Sequence, residues 1–323
     1  MRDDWRPTAC LDALRERAST LAAIRGFFAE RGVLEVDTPS LAAAGAMDPN
    51  LQSLAVDYDG PGAPPGGRLW LQSSPEHAMK RLLAAGAGSI YQITHAFRAG
   101  ERGRLHNPEF TLLEWYRLGW DHHALMSEVA DLVRCLLGKC AVERLSYSQA
   151  FRIHLGVDPL EAPRRTLEAC AGGLGMGRSA LAGLSRDALL DLLLSERVVP
   201  ALRDDRLTFI YDFPASQAAL ARLCPDDSRV AERFELFSAG IELANGYHEL
   251  TDAGEQRVRF DRERALRARL GLALPDIDER LLAAMDAGLP ACAGVAVGLD
   301  RLLMRRLGAG HIDDVIAFPI ERA

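Results

Sequence analysis

Three groups of residues in this chain have the types and spacing to do chemistry. The first lies in FRAGERGRLHNPEFTLLEWY, Phe97 to Tyr116, where an arginine closes one apolar run and a charged loop leads into another. Side chains alternate along an extended segment, so Phe110, Leu112, Glu114 and Tyr116 share one face, and Thr111, Leu113, Trp115 and Arg117 share the other. An aromatic ring, a carboxylate and a phenol on one face fit two readings. One is an edge strand with a solvated glutamate, since charged groups are mostly exposed. The other is the floor of a pocket that recognises an ammonium group.

The second group is FELFSAGIELANGYHEL. A turn at Ala239-Gly240 makes a hairpin in which Phe237 faces Glu242, and Glu235 lies diagonally across from Glu242 on the same face. Two carboxylates so placed repel one another. Such a hairpin either leaves both in water or holds a divalent cation, and Mg²⁺ characteristically takes one or two carboxylates plus substrate phosphates. Asn245 and Glu249 follow on the same segment, so acids are denser here than a surface hairpin requires.

The third group is GVAVGLDRLLMRRLG. Leu299, Leu302, Leu303 and Arg306 fall at helical spacing, which predicts a helix from Leu299. Gly298 at the strand-to-helix junction lets a ligand approach the backbone. Arg301, in the first turn, opposes the helix dipole; it is either simply exposed or positioned to hold an anionic or nucleotide ligand. The chain has no G-x-x-x-x-G-K-[ST] loop, so any ATP is not held as in P-loop proteins. His122-His123 lacks partner ligands at useful spacing and reads as a helix start, and neither G-x-S-x-G nor H-E-x-x-H occurs.

These groups must be positioned by ordinary elements. An amphipathic helix is expected over Leu14 to Arg31, ended at Gly32, followed by VLEVDTP as a short strand stopped by Pro39. DYDGPGAPPGG is a surface loop and RLWLQ a strand. SPEHAMKRLLAAG opens a helix with Ser74 as N-cap and Pro75 in its first position. SIYQITHAFR and EFTLLEWYRL are expected as antiparallel neighbours, because their connection is too short for a crossover helix. A further helix runs from Asp121 to Leu137, and from about Leu160 to Arg206 the chain reads as a helical insertion broken by AGGLGMG. LTFIYDFP, the hairpin, a charged helix from Glu255 to Leu270 and a final short strand VIAFPI complete the pass. The sum is α+β, an antiparallel sheet flanked by helices, in a single domain over residues 1–323.

Composition bounds the function. The 323 residues are 48% hydrophobic and 26% charged, enough to bury a substantial core. A formal charge of -7 argues against a protein whose main task is gripping nucleic-acid phosphates. Six cysteines without C-x-x-C or zinc-like spacing read as reduced thiols. MRDDWRPTAC carries no apolar signal region, and no window approaches the ~20 apolar residues that span a bilayer, so a cytoplasmic location is expected.

In this order the segments resemble the three signature motifs of class II aminoacyl-tRNA synthetases. IRGFFAERGVLEVDTPSL resembles motif 1, the dimer-interface helix and strand; FR…HNPEFTLLEWY resembles motif 2; GVAVGLDRLLM resembles motif 3. The nearest resemblance is to the catalytic domain of lysyl-tRNA synthetases, with SSPEHAMK similar to that family's S-P-E-x-x-M-K. The N-terminal anticodon-binding domain expected of those enzymes does not precede motif 1 here. That combination resembles the free-standing paralogues that ligate (R)-β-lysine to elongation factor P. Ala296, in G-V-A-V-G, stands where lysyl-tRNA synthetases usually carry glycine.

The resemblance implies roles. Arg98 would meet the ATP α-phosphate and the substrate carboxylate, with Arg301 as the second catalytic arginine; Phe110 and Arg301 would sandwich adenine. Ala99, Gly100, Glu101, His106, Asn107, Glu242, Leu243 and Gly298 would complete the nucleotide site, and Glu235 with Glu242 would hold Mg²⁺. Glu76, flanked by Ser74 and Pro75, would meet the amine nearer the substrate carboxylate, while Glu114, Tyr116, Asn245 and Glu249 would meet the side-chain ammonium, and Ala296 would shape the pocket. Ala99 and Gly100 stand where the family's motif 2 carries Asn and Glu, leaving Glu101 one place late. The implied activity is ATP-dependent adenylation of (R)-β-lysine and amide transfer to elongation factor P by a homodimer. A lysyl-tRNA synthetase-like enzyme charging tRNA or another amine, and a catalytically silent paralogue, remain as alternatives.

Overall fold

A computed structural model describes residues 5–323. Along the chain the elements are α1 (Leu11–Ala29), β1 (Leu34–Glu35), β2 (Leu41–Ala42), β3 (Ala55–Asp57), β4 (Arg68–Leu71), α2 (Glu76–Ala84), β5 (Ile90–Phe97) and β6 (Glu109–Leu118). Next come α3 (His122–Leu137), β7 (Ala141–Ser146), α4 (Tyr147–Leu155), α5 (Arg164–Cys170), α6 (Arg178–Gly183), α7 (Arg186–Leu193) and β8 (Arg206–Pro214). The chain finishes through β9 (Val230–Ser238), β10 (Ile241–His248), α8 (Ala253–Arg269), α9 (Glu279–Asp286), β11 (Cys292–Gly298) and α10 (Leu299–Leu307). It divides into two compact units, Met1–Trp120 with Leu250–Ala323, and Asp121–Glu249.

In the first unit the strand order is β1-β5-β6-β11, antiparallel except for β1 beside β5, with a small β2-β4-β3 sheet apart from it. The β5–β6 pairing is the antiparallel one expected from the short connection, Ile90 opposite Tyr116 through Phe97 opposite Glu109. Trp115, on the face opposite Glu114, is fully buried and meets Phe28 of α1 edge-on, while Phe28 stacks on Tyr91 with ring centres 4.4 Å apart. Aromatic contacts of this kind add about 0.5–1.5 kcal/mol beyond area burial. The helix predicted from Leu14 thus lies on β5 and β6 through its apolar stripe, although it starts three residues earlier, where Cys10 caps it.

A polar tie sets the entry to β6. Asp300 in the first turn of α10 is 3% exposed; it accepts from Arg17 of α1 and, at 2.8 Å, from the backbone N–H of Thr111. Arg17 also donates to the Val315 carbonyl at 3.0 Å. Three elements of one unit are thereby fixed around the strand that carries Glu114.

The second unit has the strand order β10-β9-β8-β7, antiparallel except for β7 beside β8. The hairpin turns at Ala239-Gly240 as expected, with both residues at positive φ (46° and 71°), the handedness that matches strand twist in two-residue turns. The helical stretch after Leu160 is α5, α6 and α7 continued by a π turn and a 3₁₀ turn, interrupted at 171–177. Leu167, Leu189, Leu190, Leu193 and Val198 from it pack with Tyr147, Phe151, Ile210, Phe213 and Phe237 in one cluster. Those helices therefore cover a sheet face that would otherwise be wet.

Local expectations need three corrections. VIAFPI is not a strand: it follows a 3₁₀ turn at Ile312–Asp314 and is itself irregular, with Val315 buried against Leu303 and Met304. VLEVDTP pairs only at Leu34–Glu35. Helix α2 starts at Glu76 with Pro75 as its N-cap, and Ser74 Oγ accepts from the Glu76 N–H at 3.0 Å. The described residues contain no helix long and apolar enough to cross a membrane, and all six cysteines are unpaired.

Replacing Asp300 by Ala strands the Thr111 N–H and a largely buried Arg17. Urea denaturation is expected to show a loss of about 3–5 kcal/mol. A loss below about 1 kcal/mol, the value of an exposed pair, would mean that Asp300 anchors nothing.

Candidate active site

In the first unit, β6 lies between β5 and β11, with Glu114 opposite Gln92 on one side and Ala296 on the other. Glu114 is 2% exposed, which rules out the solvated edge-strand reading. Its two oxygens accept from Ser74 Oγ at 2.7 Å and from Tyr116 Oη at 2.7 Å. The expected alternation holds, since Tyr116 reaches Glu114 along one face. Glu76, at the start of α2, accepts from Lys80 Nζ one turn later at 2.5 Å, and Lys80 is itself only 1% exposed.

The charge balance at this face is specific. Burial and the neighbouring Glu76 charge push the Glu114 carboxyl up to about 7, against the downward pull of the Ser74 and Tyr116 hydrogen bonds and of the Lys80 charge. Lys80 is paired with Glu76 while Glu114 is met by two hydroxyls, so a further cation at this face would favour the ionised form of Glu114. Lys80 stood unassigned within SSPEHAMK; its i,i+4 spacing from Glu76 was the available signal. Gln92 was not foreseen either. It accepts from Thr38 at 2.9 Å while its Nε2 is buried without a hydrogen-bond partner, and nothing in a strand sequence marks that.

The loop before β6 is built around Arg98. Its guanidinium lies 4.9 Å from the Phe110 ring centre and 3.8 Å from the Glu101 carboxylate. Gly100 has φ +78° and turns the chain there, a conformation a side chain would strain. Arg301, expected against adenine together with Phe110, lies with its Nη2 2.7 Å from His106 Nε2 and donates from Nε to the Leu105 carbonyl at 3.3 Å. Asn107 is a buried clamp: Nδ2 donates to the Glu109 carbonyl at 2.7 Å and Oδ1 accepts from the Ile320 N–H at 3.1 Å. Arg102 forks onto Asp313 at 2.8 and 3.0 Å and reaches Glu321 at 2.7 Å, pinning the loop to the C-terminal segment. At Gly298, the N-cap of α10, an added Cβ would meet only the Arg301 side chain, at 3.8 Å.

The hairpin of the second unit carries the acids. Phe237 faces Glu242 as expected, but a bulge at Leu243 shifts the register so that Asn245, not Ala244, continues the face of Glu242 and lies opposite Glu235. Glu235 is 9% exposed, so the reading that leaves both acids in water fails for it. Burial, then the Glu242 charge, raise its carboxyl to about 7 although Arg233, 2.5 Å away, pulls it down. Arg233 also reaches Asn245 Oδ1 at 3.3 Å. Oxygen donors alone, crowded enough to raise a carboxyl, fit a hard divalent cation such as Mg²⁺. Glu249, just beyond β10, is 2% exposed and bridges to Ala221.

The raised Glu114 carboxyl sets the sign of one pH effect. The folded state holds that proton up to about 7, whereas the unfolded chain releases it near 4.5, so stability is full below the lower value and falls as pH rises towards the upper. In Glu114→Gln this component disappears. Thermal melts across the window are expected to decline less steeply with pH than in the parent chain; identical slopes would contradict the assignment.

This arrangement has relatives. Residues 4–322 match the family described as tRNA synthetases class II (D, K and N). The chain is 52% identical over 319 residues to the elongation factor P–(R)-β-lysine ligase of Vibrio parahaemolyticus, covering 99% of both chains. It is 51% identical over 320 residues to the protein of that name from Proteus mirabilis, covering 99% of this chain and 98% of the other. The Klebsiella pneumoniae protein of the same name is 50% identical over 319 residues, with the same coverage. Matched by this family over residues 4–322 and by these relatives over nearly its whole length, the chain belongs to the class II tRNA synthetase family, in the branch of the elongation factor P–(R)-β-lysine ligases.

Proposed function

We propose that this chain activates (R)-β-lysine with ATP and transfers it to a lysine ε-amine of elongation factor P. One observation carries the reading: the buried Glu114 and the partly buried Glu76 stand beside one buried lysine, Lys80, which suits a substrate that brings ammonium groups. Each charge-assisted bond contributes about 1.5–3 kcal/mol, enough to reject uncharged amino acids. Glu114 and Tyr116 receive the side-chain ammonium, and Glu76 receives the amine nearer the carboxylate. Ser74 and Pro75 hold Glu76 at the helix start. Ala296, opposite Glu114, shapes the pocket for the displaced amine of a β-amino acid, though one methyl discriminates by only ~1–3 kcal/mol.

The substrate carboxylate attacks the ATP α-phosphorus in line, pyrophosphate departs, and an aminoacyl-adenylate forms. The ε-amine of the acceptor then attacks the activated carbonyl, forming the amide, losing a proton and releasing AMP. Arg98 holds the carboxylate and the α-phosphate together and meets the charge that grows between them. Phe110 and Arg301 flank adenine, with Glu101, His106, Asn107, Leu243 and the backbone at Ala99, Gly100 and Gly298 lining the nucleotide. Glu235 and Glu242 would hold Mg²⁺, which when bound neutralises charge on the leaving pyrophosphate. The protein acts in the cytoplasm as a homodimer through the segment of α1 and β1. A net charge of -7 counts against tRNA as acceptor.

ATP–pyrophosphate exchange is expected with (R)-β-lysine in preference to α-lysine, followed by label transfer to elongation factor P. Arg98→Ala should lower the exchange rate by about 10²–10³-fold. Preference for α-lysine with transfer to tRNA would favour a synthetase, and no exchange with any amino acid would leave a silent paralogue.

A further inference from the structure

Apart from the acids of the proposed reaction, the second unit holds a cluster that this function does not use. His122 at the start of α3, Glu232 of β9 and His248 at the end of β10 are 4%, 7% and 8% exposed, and one ligand atom from each lies within 4.8 Å of the others. The residues are far apart in sequence, which is why the His122-His123 pair showed no partner at useful spacing; the fold supplies the partners from two strands.

The hydrogen bonding of this cluster is incomplete. Neither ring nitrogen of His122 makes a hydrogen bond, although Glu232 Oε2 stands 3.9 Å from Nδ1 and Asp212 Oδ1 stands 3.5 Å from Nε2. His248 Nδ1 is 2.6 Å from Glu232 Oε2, yet the alignment is not that of a hydrogen bond. Leaving buried polar atoms unpaired costs about 1–3 kcal/mol each. An ordinary ion-pair chain from Arg222 through Glu232 to His248 accounts for two of the residues, but it leaves His122 without a role.

We propose that His122, Glu232 and His248 bind one divalent transition-metal ion of the Zn²⁺ class. Two imidazoles and a carboxylate are a ligand set such ions favour, with metal–ligand distances of about 2.0–2.2 Å and neighbouring ligand atoms therefore roughly 3.3–3.5 Å apart. The observed 2.6 and 3.9 Å bracket that spacing, and the three donor atoms all lie within 4.8 Å of one another. Asp212 then accepts a hydrogen bond from the N–H on the far nitrogen of His122, the outer carboxylate that ligating histidines commonly have. Asp212 sits at φ 58° within a bulge of β8, a strained position for a non-glycine residue that turns its side chain out of strand register. Arg222 orients the Glu232 carboxylate through 2.7 and 3.2 Å bonds. Nitrogen donors make the site unsuited to Mg²⁺, which prefers oxygen. The bound ion would tie α3 to the two strands of the acidic hairpin, a structural function separate from the proposed reaction.

Untagged full-length protein stripped with a chelator and titrated with Zn²⁺ in excess Mg²⁺ is expected to bind a single tight equivalent and to melt at higher temperature. Co²⁺ in the same preparation should give the intense visible bands of a site with low coordination number. His122→Ala and His248→Ala should abolish the tight equivalent, Asp212→Asn should weaken it by about 10–100-fold, and His123→Ala, whose ring stacks beside His122 but is not a ligand, should leave it intact. The Co²⁺ spectrum needs no variant, so a misfolded substitution does not obscure the answer. A spectrum like that of aqueous Co²⁺, or tight binding that survives both alanine variants, would overturn the proposal.

Discussion

A carboxylate on a central strand of a dry sheet is held by what surrounds it, and Glu114 sets the terms for the first unit. Its oxygens are met by a serine hydroxyl and a tyrosine hydroxyl, both neutral, and the nearby cation Lys80 is bonded to Glu76. Hydrogen bonds alone do not repay the loss of water around a full charge. The group therefore stands near the edge of ionisation at neutral pH, and a ligand ammonium is what would tip it. Much else in that unit serves to keep this strand in place: Phe28 and Tyr91 packed with Trp115, Asp300 at the strand entry, and Ser74, which bonds both Glu114 and the Glu76 N–H at the start of α2.

The loop between β5 and β6 follows a different logic. Arg98, Phe110 and Glu101 are near one another, and the loop between them is fastened by Arg102 to Asp313 and Glu321 and by Asn107 to the backbone at Ile320. Holding the loop in advance lowers the ordering entropy that a flexible phosphate loop would lose on binding. Gly100 belongs to that holding, because the turn needs its positive φ.

Much of this was legible in the sequence because it rests on local periodicity. Alternation predicted that Glu114 and Tyr116 share a face, the two turn residues predicted the hairpin and the Phe237–Glu242 pairing, and leucine spacing predicted α10. What failed depends on register or on distance. The Leu243 bulge, which brings Asn245 opposite Glu235, leaves no mark in composition. VIAFPI has strand propensity but packs as an irregular segment against Leu303 and Met304, tertiary context overriding preference. His122, Glu232 and His248 meet only because β9 and β10 fold back to the start of α3.

The central claim is that Glu114 is a receptor for an ammonium, poised by burial. Calorimetric binding of (R)-β-lysine near neutral pH, repeated in buffers of different ionisation enthalpy, reads it directly. A cation that forces Glu114 to ionise must expel its proton, so the account predicts net proton release on binding, greatest below about 7 and lost in Glu114→Gln. Binding without proton release, or release that persists unchanged in that variant, would contradict it.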